Sequence, residues 1–189
     1  MNKPGLIIGI HGKIGSGKDT VAKEIKKSFP QYNFKTVSFG YNVKKVISII
    51  TGIDMRSLLS RKIKAQYLEQ FKMTVGELFQ QVGTNALRDV LNKDVWIISL
   101  FNSIKDNENI IITDVRFLNE AESIINRGGY LIKIIGDPKK VNKKDSRDVN
   151  HKSETDLDNY KKFDIIYENK APIENIEKLI LKIKKDFKL

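Results

Sequence analysis

The chain has no cysteine, two histidines, one tryptophan and four prolines among 189 residues. Without cysteine there is no disulfide framework, and with His11 and His151 far apart a structural zinc site has too few ligands of the usual kind. Any metal should therefore be a hard cation held by oxygen. Long hydrophobic runs are missing as well: none approaches the roughly 18 residues that a membrane span needs. Met1 to Gly5 carries no charged segment leading into an apolar one. These absences predict an intracellular protein with no membrane partner. The length still suffices to bury a core and fold as one domain, residues 1–189, without staples.

Charge is abundant and unbalanced, with 34 Lys and Arg against 23 Asp and Glu, a net +11. Such a balance suggests a polyanion as partner. Only Arg56, Arg61, Arg88, Arg116, Arg127 and Arg147 are arginines, however, and the lysines are scattered from end to end. Diffuse lysine without an aromatic and basic stacking segment describes a solvated surface, so no stable nucleic-acid partner is expected.

Five short apolar runs punctuate the chain, at Leu6–Ile10, Phe34–Phe39, Asn109–Asp114, Tyr130–Ile135 and Phe163–Tyr167. Helical spacing separates them. Val21, Ala22, Ile25 and Phe29 mark a first helix, Val43, Val46, Ile47 and Ile50 a second, and Ile173 to Ile183 a terminal one. Thr74-Val75-Gly76-Glu77 has the pattern of a capping box. Val75, Leu78, Phe79, Val82, Ala86 and Val90 predict one amphipathic helix behind it. Asp94 is positioned to cap the next, with Trp96, Ile97, Leu100, Phe101 and Ile104 inward, although Val95–Ile98 also reads as a buried strand. A helix from about Leu118 to Arg127 ends at Gly128-Gly129. Strands alternating with amphipathic helices predict an α/β fold, a mostly parallel five-stranded sheet between two helical layers.

Gly12-Lys13-Ile14-Gly15-Ser16-Gly17-Lys18 follows the first strand and opens the first helix, the context of a phosphate-binding loop. Glycines let the backbone curl so that successive N–H groups point inward, the helix N-terminus adds positive potential, and Lys18 reaches the β- and γ-phosphates. The residue after that lysine is Asp19 where Ser or Thr is usual, followed by Thr20, which suits an α-phosphate contact. Asp19 has two readings, a Mg²⁺ ligand or a helix cap. Asp114 has two as well. It ends a strand expected beside the first, near the loop and its metal, or it caps the next helix. Arg116, Asn119 and Glu120 share one helical turn, where a solvated face is the default, and Trp96 reads as core more readily than as a stacking platform.

These segments together resemble the deoxynucleoside monophosphate kinases of T-even-type phages and large DNA viruses. The resemblance rests on Gly12 to Thr20, on Gln81-Val82-Gly83-Thr84-Asn85 with Arg88 and Trp96, and on Asp114-Val115-Arg116-Phe117 with Asn119-Glu120. Gly128-Gly129 and His151 to Thr155 complete it, in the same order. It implies a P-loop kinase fold, ATP and Mg²⁺, and phosphoryl transfer to a deoxynucleoside 5′-monophosphate inside a host cell. Arg88, Asp114, Arg116 and Glu120 match positions near the acceptor or the metal. The two arginines would grip the acceptor phosphate, Glu120 would orient its sugar or base, and Asp19 and Asp114 would serve the metal. Residues 41–105 would form the acceptor-side helical segment and residues 137–155 a lid. A homodimer would use the apolar helix faces. Two other readings of the loop remain, a different small-molecule kinase such as a dephospho-coenzyme A kinase, and a nucleic-acid-binding NTPase.

Overall fold

A computed structural model describes residues 4–13, 15–136, 152–169 and 174–189. Residues 137–151, most of the expected lid with His151, lie outside the described residues.

The five apolar runs form five parallel strands: β1 (Ile7–His11), β2 (Lys35–Val37), β5 (Ile110–Ile112), β6 (Tyr130–Ile135) and β7 (Ile165–Glu168), in the spatial order β2-β5-β1-β6-β7. The central strand is β1, with Ile7 opposite Ile110 and Gly9 opposite Leu131. Successive side chains of a strand face opposite sides, and the isoleucines obey this. Ile7, Ile110, Ile112 and Leu131 enter one core, while Ile8, Ile10, Ile111, Ile132 and Ile134 enter the other. Both faces are covered, which is why these strands are continuous apolar runs rather than alternating ones.

Helices α1 (Lys18–Ser28) and α8 (Glu174–Asp186) cover the second face. The first face is covered by α2 (Gly40–Thr51), α4 (Val75–Gln80), α5 (Val95–Ser103) and α6 (Leu118–Ile125). The polar stretch after α2 contains α3 (Arg61–Lys64) and a small antiparallel pair, β3 (Tyr67–Leu68) with β4 (Met73–Thr74). Leu58 and Leu68 anchor it to the core. The four-residue α7 (Lys152–Thr155) precedes β7. Among the described residues no helix is long and apolar enough to cross a membrane.

Three local expectations are corrected. The helix begun by the Thr74 capping box, where Thr74 Oγ1 accepts from Glu77 N at 3.2 Å, does not run to Val90. Its α portion ends at Gln80 and a π-helical turn occupies Gln81–Ala86. A π turn takes about one residue more than an α turn, so the inward position after Val82 falls on Leu87. Ala86 is exposed, and Val90 is 82% exposed. Asp94 gives α5 no side-chain cap; its Oδ1 accepts from Asn119 Nδ2 at 2.7 Å. The last strand starts at Ile165, and Phe163 instead stacks on His11, with 5.6 Å between centroids. Val95–Ile98 is helical, and Trp96 is buried.

Candidate active site

The C-terminal ends of β1, β5 and β2 open on the same side of the sheet, where parallel α/β folds bind ligands. From β1 the chain enters the glycine-rich loop. Gly17 caps α1 with φ 93°, a left-handed conformation that glycine adopts without strain. Gly12 passes so close to Ser16 Oγ and the Ile134 carbonyl that a Cβ there would stand 2.6–2.7 Å from them. Beyond β7, Asn169 holds the loop from behind: its Nδ2 donates to the Ser16 carbonyl at 2.8 Å, and its own N–H donates to Ile135 O at 2.7 Å. No side chain caps the first turn of α1, whose N–H groups are unspent by any capping side chain among the described residues. The Ser16 hydroxyl is buried without a hydrogen-bond partner among the described residues.

Lys18 opens α1 and its Nζ donates to the Lys13 carbonyl at 2.9 Å. Burial pushes its ammonium down to about 8, reinforced by Arg116 and opposed by Asp19, Glu154 and Asp114. Those four charges are thus within electrostatic reach of Lys18. Asp19 and Thr20 are exposed on the first turn. The curled loop, uncapped helix, unpartnered hydroxyl and near-buried cation fit a polyphosphate. Behind them His11, at the end of β1, is buried and donates Nδ1–H to Val115 O at 2.9 Å. Burial lowers its pKa, so it is neutral there and ties the loop strand to the segment after β5.

That segment supplies Asp114. Its two carboxylate oxygens accept from Phe39 N at 2.8 Å and Gly40 N at 2.9 Å, so the helix it caps is α2, not the one that follows it. Arg116 pairs through Nη1 with Glu154 Oε1. Glu120 is 2% exposed. One oxygen accepts from Arg116 N at 2.8 Å and Phe117 N at 3.1 Å; the other pairs with Arg88. Burial pushes its carboxyl up to about 7 against the pull of Arg88. The expected solvated face at residue 120 is therefore a buried ion pair. Arg88 also donates to the carbonyls of Gly83 and Lys93, each at 3.2 Å, and lies 4.0 Å over the Phe117 ring. Three of the five guanidinium donors are spent, which leaves two.

Arg88, Asp114, Arg116 and Glu120 meet in the wall of one cleft of about 230 Å³. Its other walls include Phe39, Val43, Leu59, Phe79, Gln80, Thr84 and Trp96. Trp96 is both core and wall, with its Nε1–H donated to Gly83 O at 2.8 Å. Asp114 and Arg116, in this wall, are also among the charges that act on Lys18. Sequence reasoning missed Asn169, His11 and Phe39, which no motif marks. Glu154 belonged to a noticed segment, but only folding shows its partner.

Residues 51–180 match the family described as deoxynucleotide monophosphate kinase. The match takes in most of the cleft lining, from Leu59 to Glu120, and leaves out Phe39, Gly40, Val43, Lys44 and the loop, which stands on its geometry. A protein of Acanthamoeba polyphaga mimivirus, provisionally named deoxynucleotide monophosphate kinase, is 29% identical over 192 residues, 93% of this chain and 94% of its own. The deoxynucleoside-5′-monophosphate kinase of Escherichia phage T5 is 27% identical over 176 residues, 62% of this chain and 70% of its own. Among solved structures, the shikimate kinase of Bacteroides thetaiotaomicron superposes with a TM-score of 0.52 at 17% identity, covering 97% of this chain and 99% of that one. It shares the fold.

Proposed function

The chain belongs to the deoxynucleotide monophosphate kinase family and phosphorylates deoxynucleoside 5′-monophosphates with ATP, and from that premise we propose how its residues divide the work. The loop Gly12, Lys13, Gly15, Ser16, Gly17 and Lys18 holds the donor phosphates, with Thr20 on the α-phosphate. The cleft receives the acceptor, whose phosphate meets Arg116 and the two unspent donors of Arg88. The observation that carries this reading is the meeting of two sites at one edge of the sheet: the loop leaves the end of β1, and Asp114 and Arg116, in the cleft wall, leave the end of its parallel neighbour β5.

An oxygen of the acceptor monophosphate attacks the γ-phosphorus while the β–γ bridging oxygen leaves with ADP. The attacking oxygen is already anionic near neutral pH, so alignment and charge neutralisation suffice and no general base is required. Lys18 neutralises the charge that builds on the transferring group and its leaving oxygen. Arg116 and Arg88 align the attacking oxygen, and a guanidinium can hold two phosphate oxygens at once. Glu120 acts through Arg88, which it fixes against Phe117, and is a positioning residue rather than an acceptor contact.

Mg²⁺ fits this site with few protein ligands. Asp19 is exposed beside the loop, and Asp114 has spent one lone pair on each oxygen and retains the others. No group of three or more potential metal-binding side chains forms among the described residues, which suits an ion that keeps several waters and binds phosphate. Bound there, Mg²⁺ would supply charge neutralisation across the β- and γ-phosphates.

A coupled ADP-release assay over deoxynucleotides, ribonucleotides, dephospho-coenzyme A and duplex DNA tests the reading. ADP release should require a deoxynucleoside monophosphate. Lys18→Ala should lower turnover by roughly two to three decades, as for other donors aimed at transition-state charge, with the melting temperature unchanged. Near-wild-type turnover would remove the loop from the mechanism.

A further inference from the structure

The wall of the cleft contains one polar atom whose position the phosphate chemistry does not explain. Gln80 ends α4 where the helix loosens into its π turn, and its Nε2 is buried with no hydrogen-bond partner among the described residues. A buried amide donor left unpaired is costly. Native structures keep such groups where something else completes them. Acceptors in the same wall are already engaged: the Gly83 carbonyl by Trp96 Nε1–H and Arg88 Nε–H, and Glu120 Oε1 by Arg88. The same wall carries Leu59, Phe79, Val43 and Trp96, with Lys44, Lys64 and Thr84 among them and Lys64 Nζ 5.6 Å over the Phe79 ring.

We propose that Gln80 reads the base of the acceptor nucleotide, donating its Nε2–H to a ring nitrogen or carbonyl oxygen on the base edge. This rests on the cleft being the acceptor site. The cleft offers two kinds of chemistry: Asp114, Arg116 and Arg88 carry charge for the 5′-phosphate, and the helical side carries the ring faces of Phe79 and Trp96 and the neutral amide of Gln80, with Lys44 and Lys64 also in the wall. A nucleotide combines the same two kinds. Its base is flat and apolar on its faces and carries hydrogen-bond acceptors along its edge. A neutral carboxamide presents a donor and an acceptor and exchanges them by a half-turn, so Gln80 ranks bases without excluding all but one. The π turn that follows Gln80 sets the spacing from it to Thr84 and Arg88, which share the cleft wall with it.

The test compares wild type, Gln80→Leu and the near-isosteric Gln80→Met, which keeps much of the shape, adds no charge and loses the donor. Trp96 is the sole tryptophan and lines the cleft, so its fluorescence follows binding of the four deoxynucleoside monophosphates and of 2-deoxyribose 5-phosphate, which has no base. ADP release is measured in parallel. Both variants should bind the preferred nucleotide roughly tenfold to a hundredfold more weakly. They should bind 2-deoxyribose 5-phosphate as wild type does and keep the wild-type KM for ATP. Equal weakening of all five ligands would mark a structural role and overturn the proposal, as would no change in any. Wild type that binds deoxynucleotides and transfers nothing would refute the kinase reading while the binding arm still decides on Gln80. Normal transfer with indifference to both substitutions would refute the Gln80 proposal alone.

Discussion

Lys18 is the residue at which binding and protonation are coupled. Burial and the Arg116 guanidinium hold its ammonium near 8, so at that pH about half of the free protein carries a neutral Lys18. A polyphosphate favours the charged form. Nucleotide binding should therefore take up about half a proton at pH 8 and progressively less as the pH falls, because the free lysine is then already protonated. The sign follows from a pKa that is depressed in the free protein and raised by the ligand. Calorimetry in buffers of different ionisation enthalpy measures the uptake, which Lys18→Met should abolish; uptake that persists in that variant would place the titrating group elsewhere. Arg116→Ala makes two linked changes. It removes a charge-assisted contact to the acceptor phosphate, which should cost on the order of 1.5–3 kcal/mol, or one to two decades in acceptor kcat/KM. It also removes a cation that depresses Lys18, so the pH at which proton uptake is half-maximal should rise. An acceptor defect without that rise would mean that the two residues act independently.

At the scale of elements, the donor loop is held by parts of the chain remote from it. Asn169 follows β7 and donates to the Ser16 carbonyl across 153 positions of sequence. Asn169→Ala should loosen the loop by about 1 kcal/mol and raise the KM for ATP several-fold while the acceptor KM stays put; an equal rise in both would point to general loosening of the sheet. The ion pair of Arg88 and Glu120 joins the π turn to α6 in the same way. Removing one partner strands the other in the core, so Glu120→Ala should cost about 3–5 kcal/mol in a denaturation experiment, more than Glu120→Gln, which keeps an acceptor oxygen. Much of this architecture was legible in the sequence, because a strand covered on both faces leaves a run such as Ile110-Ile111-Ile112, and a phosphate loop needs glycines at fixed spacing. The Thr74 capping box is local chemistry and was legible too. What escaped was set by tertiary fit. The π turn has no compositional signature, so Val90 looked inward and Glu120 looked solvated. Asp114 turned out to cap a helix 74 positions earlier in the chain, a pairing that depends on β2 lying beside β5. Motif spacing locates residues that act within one turn or loop, and it is silent on partners that meet only when the sheet is assembled.

Across the whole molecule the net +11 must be reconciled with a substrate that is itself an anion. A basic protein attracts any polyanion, and DNA is far more highly charged than a monophosphate. Among the described residues, several lysines stand beside carboxylates, however. Lys13 pairs with Asp158, Lys35 with Glu108, Lys72 with Glu69 and Lys162 with Glu122, at separate places on the surface. Pairs this exposed contribute little to stability, but they intersperse carboxylates among the cations. In the proposed reading the acceptor phosphate instead meets Arg88 and Arg116 inside a cleft, where bulk ions screen less than at the open surface. Salt should therefore separate the two. Duplex binding at low salt should show no sequence preference and fall steeply with NaCl through counterion release, leaving only weak binding at physiological ionic strength. Phosphorylation of deoxynucleoside monophosphates should change far less over the same titration, and duplex DNA should neither stimulate nor inhibit it at physiological salt. Following both signals in one NaCl series decides the matter. DNA binding that stays tight at physiological salt, together with DNA-stimulated ATP hydrolysis and no phosphorylated monophosphate, would make the basic surface the working part and the cleft incidental.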